Sequence, residues 1–231
     1  MSCTFVLTDS WISDDRRRIK TPLVAKKWAF YHSTRILFTL PQLTELELDI
    51  DSNADIEYVA WCLTPLNCLR GFKVYISPIE RQPRNRAPPE LSSFRSVIAH
   101  NPNLTHLHFQ LNNCGSLNLS DLLGDIPGDR PLRLDHVSLD RNCNNVEALL
   151  PHIRHLSSFE FHSCPSSYHY SFPVNVWCPT FSRAKLFPPT IKVTYLDEEF
   201  LTYLQRHPGM VSLSVLNDHM YRETSSMRQG D

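Results

Sequence analysis

Four histidines fall within three short segments in which polar and apolar residues alternate. They are His106 and His108, then His136, then His162. If these segments are strands that align side by side, the imidazole rings share one face, with neighbouring strands about 5 Å apart. Imidazole nitrogens bind zinc, so a metal site is chemically possible there. Stacked histidines on a polar surface are more often contact residues, and the sequence favours contact over metal binding.

The motifs of common enzyme active sites are absent from the sequence. The chain has only six glycines, and none belongs to a Gly-rich loop that could cradle a phosphate. Neither G-x-S-x-G nor H-E-x-x-H occurs. Carboxylate pairs such as Glu198–Glu199 and Asp14–Asp15 stand where helices should begin, and the helix dipole explains them without catalysis. We therefore expect no enzyme, no cofactor and no resident metal.

Composition indicates a globular intracellular protein. Of 231 residues, 42% are hydrophobic and 20% charged, with a net charge of −1, so a core can form and a basic nucleic-acid-binding face is not expected. The seven cysteines are odd in number and nowhere spaced as C-x-x-C, which is typical of reduced thiols. No apolar stretch approaches the ~18 residues that span a bilayer, and the N-terminus lacks the features of a secretory signal. The sequence predicts a cytoplasmic or nuclear protein with no nucleic-acid or membrane partner.

A leucine pattern, L-x-x-L-x-L-x-x-N/C, recurs along the chain. Clear copies begin at Leu104, Leu134 and Leu156; weaker copies begin at Leu43, Leu69 and Met210, with a degenerate copy at Phe181, Ala184 and Leu186. Within each copy, alternate apolar residues predict a short strand with one buried face. Because so short a strand cannot bury that face alone, a neighbouring copy must cover it. The alternating apolar residues, from Leu46 and Leu48 to Leu213 and Val215, should therefore be buried on parallel strands.

This pattern resembles that of leucine-rich-repeat proteins. The resemblance implies an α/β fold, an irregular leucine-rich-repeat solenoid or horseshoe segment over residues 41–218, with strands on its concave side and helices outside. Helices are predicted in DIEYVAWCL, PPELSSFRSVIAHNP, NNVEALLPHI and DEEFLTYLQRHP. Residues 1–40 should form a short helical cap, and residues 219–231 a flexible tail.

Two sets of polar residues follow from the repeat register. At the strand ends, Asn112, Asn142 and Cys164 should be buried and bonded to backbone groups. On the concave face, we expect a set of side chains to contact a protein partner. This set consists of Glu45, Glu47, Asp49, Lys73, Tyr75, His106, His108, Gln110, His136, Asp140, Glu160 and His162.

The segment PLVAKKWAFYHSTRILF, residues 22–38, resembles the second half of an F-box from fungal F-box and leucine-rich-repeat proteins. The resemblance is carried by Leu23–Val24, Trp28 and Leu37–Phe38. In that family the F-box docks on an adaptor of a cullin-type ubiquitin ligase and the repeats hold the substrate. The resemblance thus implies that Leu23, Val24 and Trp28 bind the adaptor. The usual opening leucine–proline pair and first helix are absent, and an alternative is that these residues cover the end of the array.

The sequence predicts protein recognition through the concave face, with a further role as substrate receptor of a cullin-type ubiquitin ligase if the F-box resemblance holds. One alternative is a stand-alone repeat protein, from a truncated gene, without a ligase link. Another is a metal-dependent hydrolase built on the histidines and carboxylates of the same face.

Overall fold

One open sheet of eight strands organises the molecule. The structure is a computed structural model that describes residues 4–8, 42–51, 56–77, 91–111, 117–140, 143–162, 177–194, 196 and 198–215. The sheet contains β1 (Thr4–Thr8), β2 (Glu45–Asp51), β3 (Gly71–Ser77), β4 (His106–Leu111), β6 (His136–Asp140), β8 (Ser158–His162), β9 (Thr190–Val193) and β10 (Ser212–Val215). Spatial neighbours follow chain order from β1 to β10, and all of these strands pair in parallel. A separate two-stranded parallel sheet joins β5 (Leu117–Asn118) to β7 (Cys143–Asn144).

Short helices fill the connections that parallel strands require. They are α1 (Ile56–Leu63), α2 (Arg95–Ala99), α3 (Leu119–Leu123), α4 (Trp177–Ala184) and α5 (Glu198–Gln205), with 3-10 helices at Leu91–Phe94 and Val146–His152. Local signals explain where some begin. Asn118 caps α3 by accepting a hydrogen bond from the Ser120 N–H at 3.1 Å, and Glu198 and Glu199 lie in the first turn of α5, where the helix dipole favours them.

Two apolar rows that cross the sheet in register form the centre of the core. The first row contains Leu46, Phe72, Leu107, Val137, Phe159 and Ile191; the second contains Leu48, Val74, Phe109, Leu139, Phe161 and Val193. All twelve are at most 6% exposed, and they form one cluster with the buried side chains of the helices. Near the β9 side the cluster is aromatic, because Trp177 lies within 5.0 Å of Phe159 and 5.5 Å of Phe181, measured between ring centroids. The predicted burial of the apolar residues on β2, β4, β6 and β8 is confirmed.

The predicted fold class, a leucine-rich-repeat solenoid, is wrong. Over the described residues the chain is an α/β protein whose central sheet is parallel and open rather than closed into a barrel, closer to a Rossmann-like sheet than to a solenoid. The connections are not copies of one unit: they include an eight-residue α-helix, a 3-10 turn that leads into a five-residue helix, and an added two-stranded sheet. Alternating apolar residues occur in any parallel strand with one polar face, so the leucine pattern alone could not separate the two classes.

Two local predictions also need correction. The degenerate copy at Phe181 and Ala184 belongs to helix α4, and the strand lies further on, at Thr190–Val193. Leu213 and Val215 occupy the predicted strand but are 39% and 48% exposed, because β10 is the last strand of the sheet. Several predictions fall outside the described residues: the cap apart from β1, the residues Asn112, Asn142 and Cys164, and the tail at 219–231.

A buried asparagine ties the loop before β3 to helix α2. Asn101 is 0% exposed. Its side-chain oxygen accepts a hydrogen bond from the Leu69 N–H at 2.8 Å, and its Nδ2 donates to the carbonyl oxygens of Leu66 at 2.8 Å and Val97 at 2.7 Å. A single amide thus satisfies three backbone groups that would otherwise be buried without partners.

Replacing Asn101 with leucine should lower the free energy of unfolding by roughly 2–4 kcal/mol, because the backbone groups lose their partners inside the core. Urea denaturation measures the change. The matched control is Asn103→Leu, since Asn103 is exposed in the neighbouring turn. It should change stability by about 0.5 kcal/mol or less. Equal losses in the two variants would contradict the role assigned to Asn101.

Leu107→Ala should cost roughly 2–5 kcal/mol, because it opens a cavity between Phe72 and Val137, its neighbours in the first apolar row. Leu213→Ala makes the same chemical change at the last strand, where the side chain is 39% exposed, and should cost about 1 kcal/mol or less. Thermal and urea unfolding of both variants would test the in-register core. A loss at Leu213 as large as that at Leu107 would count against it.

Candidate binding face

The side chains that point away from the core form three rows, which we call the open face. The first row is Glu45, Gly71, His106, His136, Ser158, Thr190 and Ser212. The second is Glu47, Lys73, His108, Ser138, Glu160, Lys192 and Ser214. The third includes Asp49, Tyr75, Gln110 and His162. Alternation along each strand sends these side chains to the side opposite the apolar rows.

The β2 end of the open face is acidic. The Glu45 carboxylate lies over Gly71, where a Cβ would collide with it. Because Gly71 has no side chain, this position of β3 leaves space for the glutamate. Glu47 forms an ion pair with Lys73, with 3.6 Å between Oε2 and Nζ. Burial, followed by the nearby Glu47 charge, raises the pKa of Asp49. This end of the face therefore carries more negative charge than its one lysine balances.

Two imidazoles stack in the first row. The rings of His106 and His136 are 4.3 Å apart between centroids and inclined by 18°. His106 Nδ1 lies 2.9 Å from the Thr105 hydroxyl, and His136 Nε2 lies 3.0 Å from an Asp135 carboxylate oxygen. Burial, followed by the neighbouring His136, lowers the pKa of His106. The pair therefore disfavours a positive charge on His106.

His108 is the most deeply placed imidazole of the face. Its ring packs 4.6 Å from that of Tyr75 and 5.4 Å from that of His162. Within the described residues its Nε2 is buried without a hydrogen-bond partner. Burial, followed by the charges of His162 and Lys73, lowers its pKa to about 4, against a weaker opposing effect of its hydrogen bond with Gln110. The ring is therefore neutral at pH 7.

A serine, a histidine and a glutamate meet across β6 and β8. Ser138 Oγ lies 2.9 Å from His162 Nε2, and the same nitrogen lies 3.4 Å from Glu160 Oε1. In a hydrolytic triad the carboxylate binds the other ring nitrogen and leaves Nε2 to take the serine proton. Here both groups approach Nε2, and Glu160 also pairs with Lys192 at 3.5 Å. The arrangement is a polar network with no activated nucleophile.

The histidines of the open face do not converge on a metal position. Because the rings of His106 and His136 are nearly parallel and stacked, the lone pairs in their ring planes do not point at a common centre. Among the described residues, no group of three or more His, Cys, Asp and Glu side chains could hold a metal ion. The hydrolase alternative thus has no donor set in this part of the chain.

A shallow depression on the helix side of the protein is lined by few polar groups. Its volume is about 310 Å³, and it lies between the 3-10 helix Val146–His152 and the end of α4. Leu150, Pro151, Arg154, Ala184 and Leu186 line it. With one ionisable group among its lining residues, it lacks the converging polar groups of an active site.

The structure locates most of the residues that the sequence analysis selected for binding. The selected side chains on β2, β3 and β4 lie on the open face. So do those of His136, Glu160 and His162. Asp140 lies opposite His162 in the register, and its side chain is outside the description. Leu23, Val24 and Trp28 also fall outside it. Their binding roles stay predictions.

Sequence reasoning missed Lys192 because it misplaced the strand that carries it. The alternation of Thr190, Ile191, Lys192 and Val193, immediately after two prolines, was the signal that could have located β9. It also overlooked the contact of Ser138 with His162, since the two residues are diagonal rather than directly opposite in the register.

No protein-family model matches the chain, and neither a curated protein nor a solved structure does. In the described part of the chain, no helix has the length and apolar character needed to cross a bilayer.

The neutral His108 predicts a pH dependence of stability. Its pKa in the folded protein, about 4, lies below the ordinary value of 6.5. The contribution of the neutral ring to the free energy of unfolding is therefore complete above about pH 6.5 and is lost as the pH falls towards 4. Between pH 7.5 and pH 5 the loss should be roughly 2 kcal/mol. Urea unfolding of wild type and of His108→Phe at both pH values separates the effect of His108 from that of other titrating groups. Between pH 7.5 and pH 5 the free energy of unfolding of the variant should fall by about 2 kcal/mol less than that of wild type. The same pH dependence in both proteins would refute the assignment.

Proposed function

We propose that the protein is a non-catalytic binding protein that recognises a protein partner through the open face of its sheet. The observation that carries the proposal is the arrangement of polar side chains on that face. They are spread over seven strands and paired mainly with one another, as in Lys73–Glu47 and Lys192–Glu160. Such a surface contacts an extended partner better than it encloses a small molecule.

The sheet topology supports the proposal. In open α/β sheets, small ligands bind in a crevice where the strand order reverses. From β1 to β10 the spatial order follows the chain order, so this sheet contains no such reversal. The seven strands from β2 to β10 span about 30 Å at the usual strand spacing, a width typical of protein contacts.

The composition of the face also fits a protein interface. Tyr75 on β3 packs against His108, and aromatic anchors of this kind commonly dominate binding energy. Charged side chains elsewhere on the face remain partly exposed: 43% for Lys73, 30% for Glu47 and 43% for Lys192. Charges that keep contact with solvent tune specificity and association rate.

The double variant Lys73→Ala, Tyr75→Ala tests the proposal. Immobilised full-length protein is used to capture partners from a native extract, and retained proteins are quantified by mass spectrometry. Proteins bound by wild type should fall at least about tenfold on the double variant, as expected when an anchor worth ~1.4 kcal/mol or more is removed. The matched control is Arg154→Ala, Arg183→Ala on the helix side, which should retain them. Loss on the control but not on the open-face variant would reject the proposal.

The ligase link is a second proposal, supported by the sequence resemblance at residues 22–38. As a cytoplasmic or nuclear substrate receptor, the chain would bind its adaptor through Leu23, Val24 and Trp28. Co-precipitation of the adaptor with wild type, lost in the double variant Leu23→Ala, Val24→Ala, is the expected result. The open-face variant should still bind the adaptor, because the two surfaces are separate in sequence. Absence of the adaptor from a well-folded wild-type sample would leave the protein as a stand-alone binding protein.

A further inference from the structure

The last strand of the described sheet has an exposed apolar side. Leu213 and Val215 continue the core rows from Ile191 and Val193, which are 0% and 2% exposed. On β10 the corresponding exposures are 39% and 48%, and Val211, immediately before the strand, is 82% exposed. The apolar layer therefore reaches the sheet edge without a described residue to cover it.

Among the described residues, no strand pairs with the outer backbone of β10. Ser212 donates its N–H to the Pro189 carbonyl oxygen, in the connection to β9, at 3.0 Å. Because successive residues of a strand direct their backbone groups to opposite sides, the N–H and C=O of Leu213 face away from β9. Edge strands are usually protected by charged residues. From Pro208 to Asn217 the sequence carries none.

The strand sequence is self-complementary. Residues 211–215 read V-S-L-S-V, the same in both directions. In an antiparallel pair of two copies centred on Leu213, Val211 lies opposite Val215, Ser212 opposite Ser214 and Leu213 opposite itself. Apolar residues then meet on the core side and serines on the open-face side, which are favourable cross-strand pairs without like charges.

We propose that the protein forms a homodimer by antiparallel pairing of two β10 strands about a twofold axis. The two Leu213 residues exchange their outward N–H···O=C hydrogen bonds, and the two sheets continue into one. A twofold axis needs a surface that matches itself, and the palindromic strand provides one. Because the paired segment is short, the dimer buries less than the about 1,600 Å² of a standard interface, and we expect micromolar, concentration-dependent association.

Sedimentation velocity of the full chain over about a hundredfold range of concentration tests the dimer. Wild type should pass from monomer to dimer. Leu213→Lys places two ammonium groups on the axis and should weaken association at least about tenfold. Trp61→Lys is the matched control, since it replaces another exposed apolar side chain, 61% exposed, on α1 between β2 and β3. It should leave association within about twofold of wild type.

Hydrogen exchange of wild type gives a second readout that needs no variant. The amide of Leu213 should exchange more slowly as the protein concentration rises, whereas the amide of Ser212, already bonded to Pro189, should not change. If Leu213→Lys proves unfolded by circular dichroism, this readout decides alone. A monomer at every concentration, equal association of wild type and Leu213→Lys, equal loss in both variants, or Leu213 protection independent of concentration would each overturn the proposal.

Discussion

The in-register pairing of parallel strands is the constraint on which the remaining structure depends. Leu107 lies between Phe72 and Val137, and His108 between Lys73 and Ser138, because all three strands share one register. A slip by one residue would exchange the two faces and bury the charged row. The same pairing therefore builds the core, where most of the hydrophobic stabilisation arises, and sets the polar pattern of the opposite side.

The open face derives its electrostatics from this arrangement. Packing side chains about 5 Å apart brings like groups together as well as opposite ones. Lys73 and Lys192 each find a glutamate, but the imidazoles meet one another, and both His106 and His108 have lowered pKa values. The lowered pKa values of His106 and His108 thus leave the polar side of β4, near the middle of the face, uncharged at neutral pH, between the acidic β2 and the Glu160–Lys192 ion pair. An uncharged centre with a charged rim is the usual layout of a protein-binding surface.

Sequence reasoning succeeded where the signal is local. The alternation in HLHF fixes both the strand and the buried face of β4, and the apolar spacing of DIEYVAWCL predicts α1. It failed where several structures satisfy one pattern: Phe181 and Ala184 are spaced by three and fit a helix as well as a strand core. The fold class was missed for the same reason. The exposure of Leu213 depends on what lies beyond the last strand, and the contact of Ser138 with His162 depends on rotamers, so neither could be derived from spacing.

Methyl-labelled protein offers the most direct test of the register. Nuclear Overhauser contacts should join the methyl groups of Leu48 to those of Val74, and of Leu107 to those of Val137, since each pair occupies adjacent positions on neighbouring strands. Contacts between Leu48 and Leu139, which lie three strands apart, should be absent. Finding the two adjacent pairs in contact is the predicted result. Their absence, together with contacts from Leu107 to residues that no parallel register places beside it, would contradict the account.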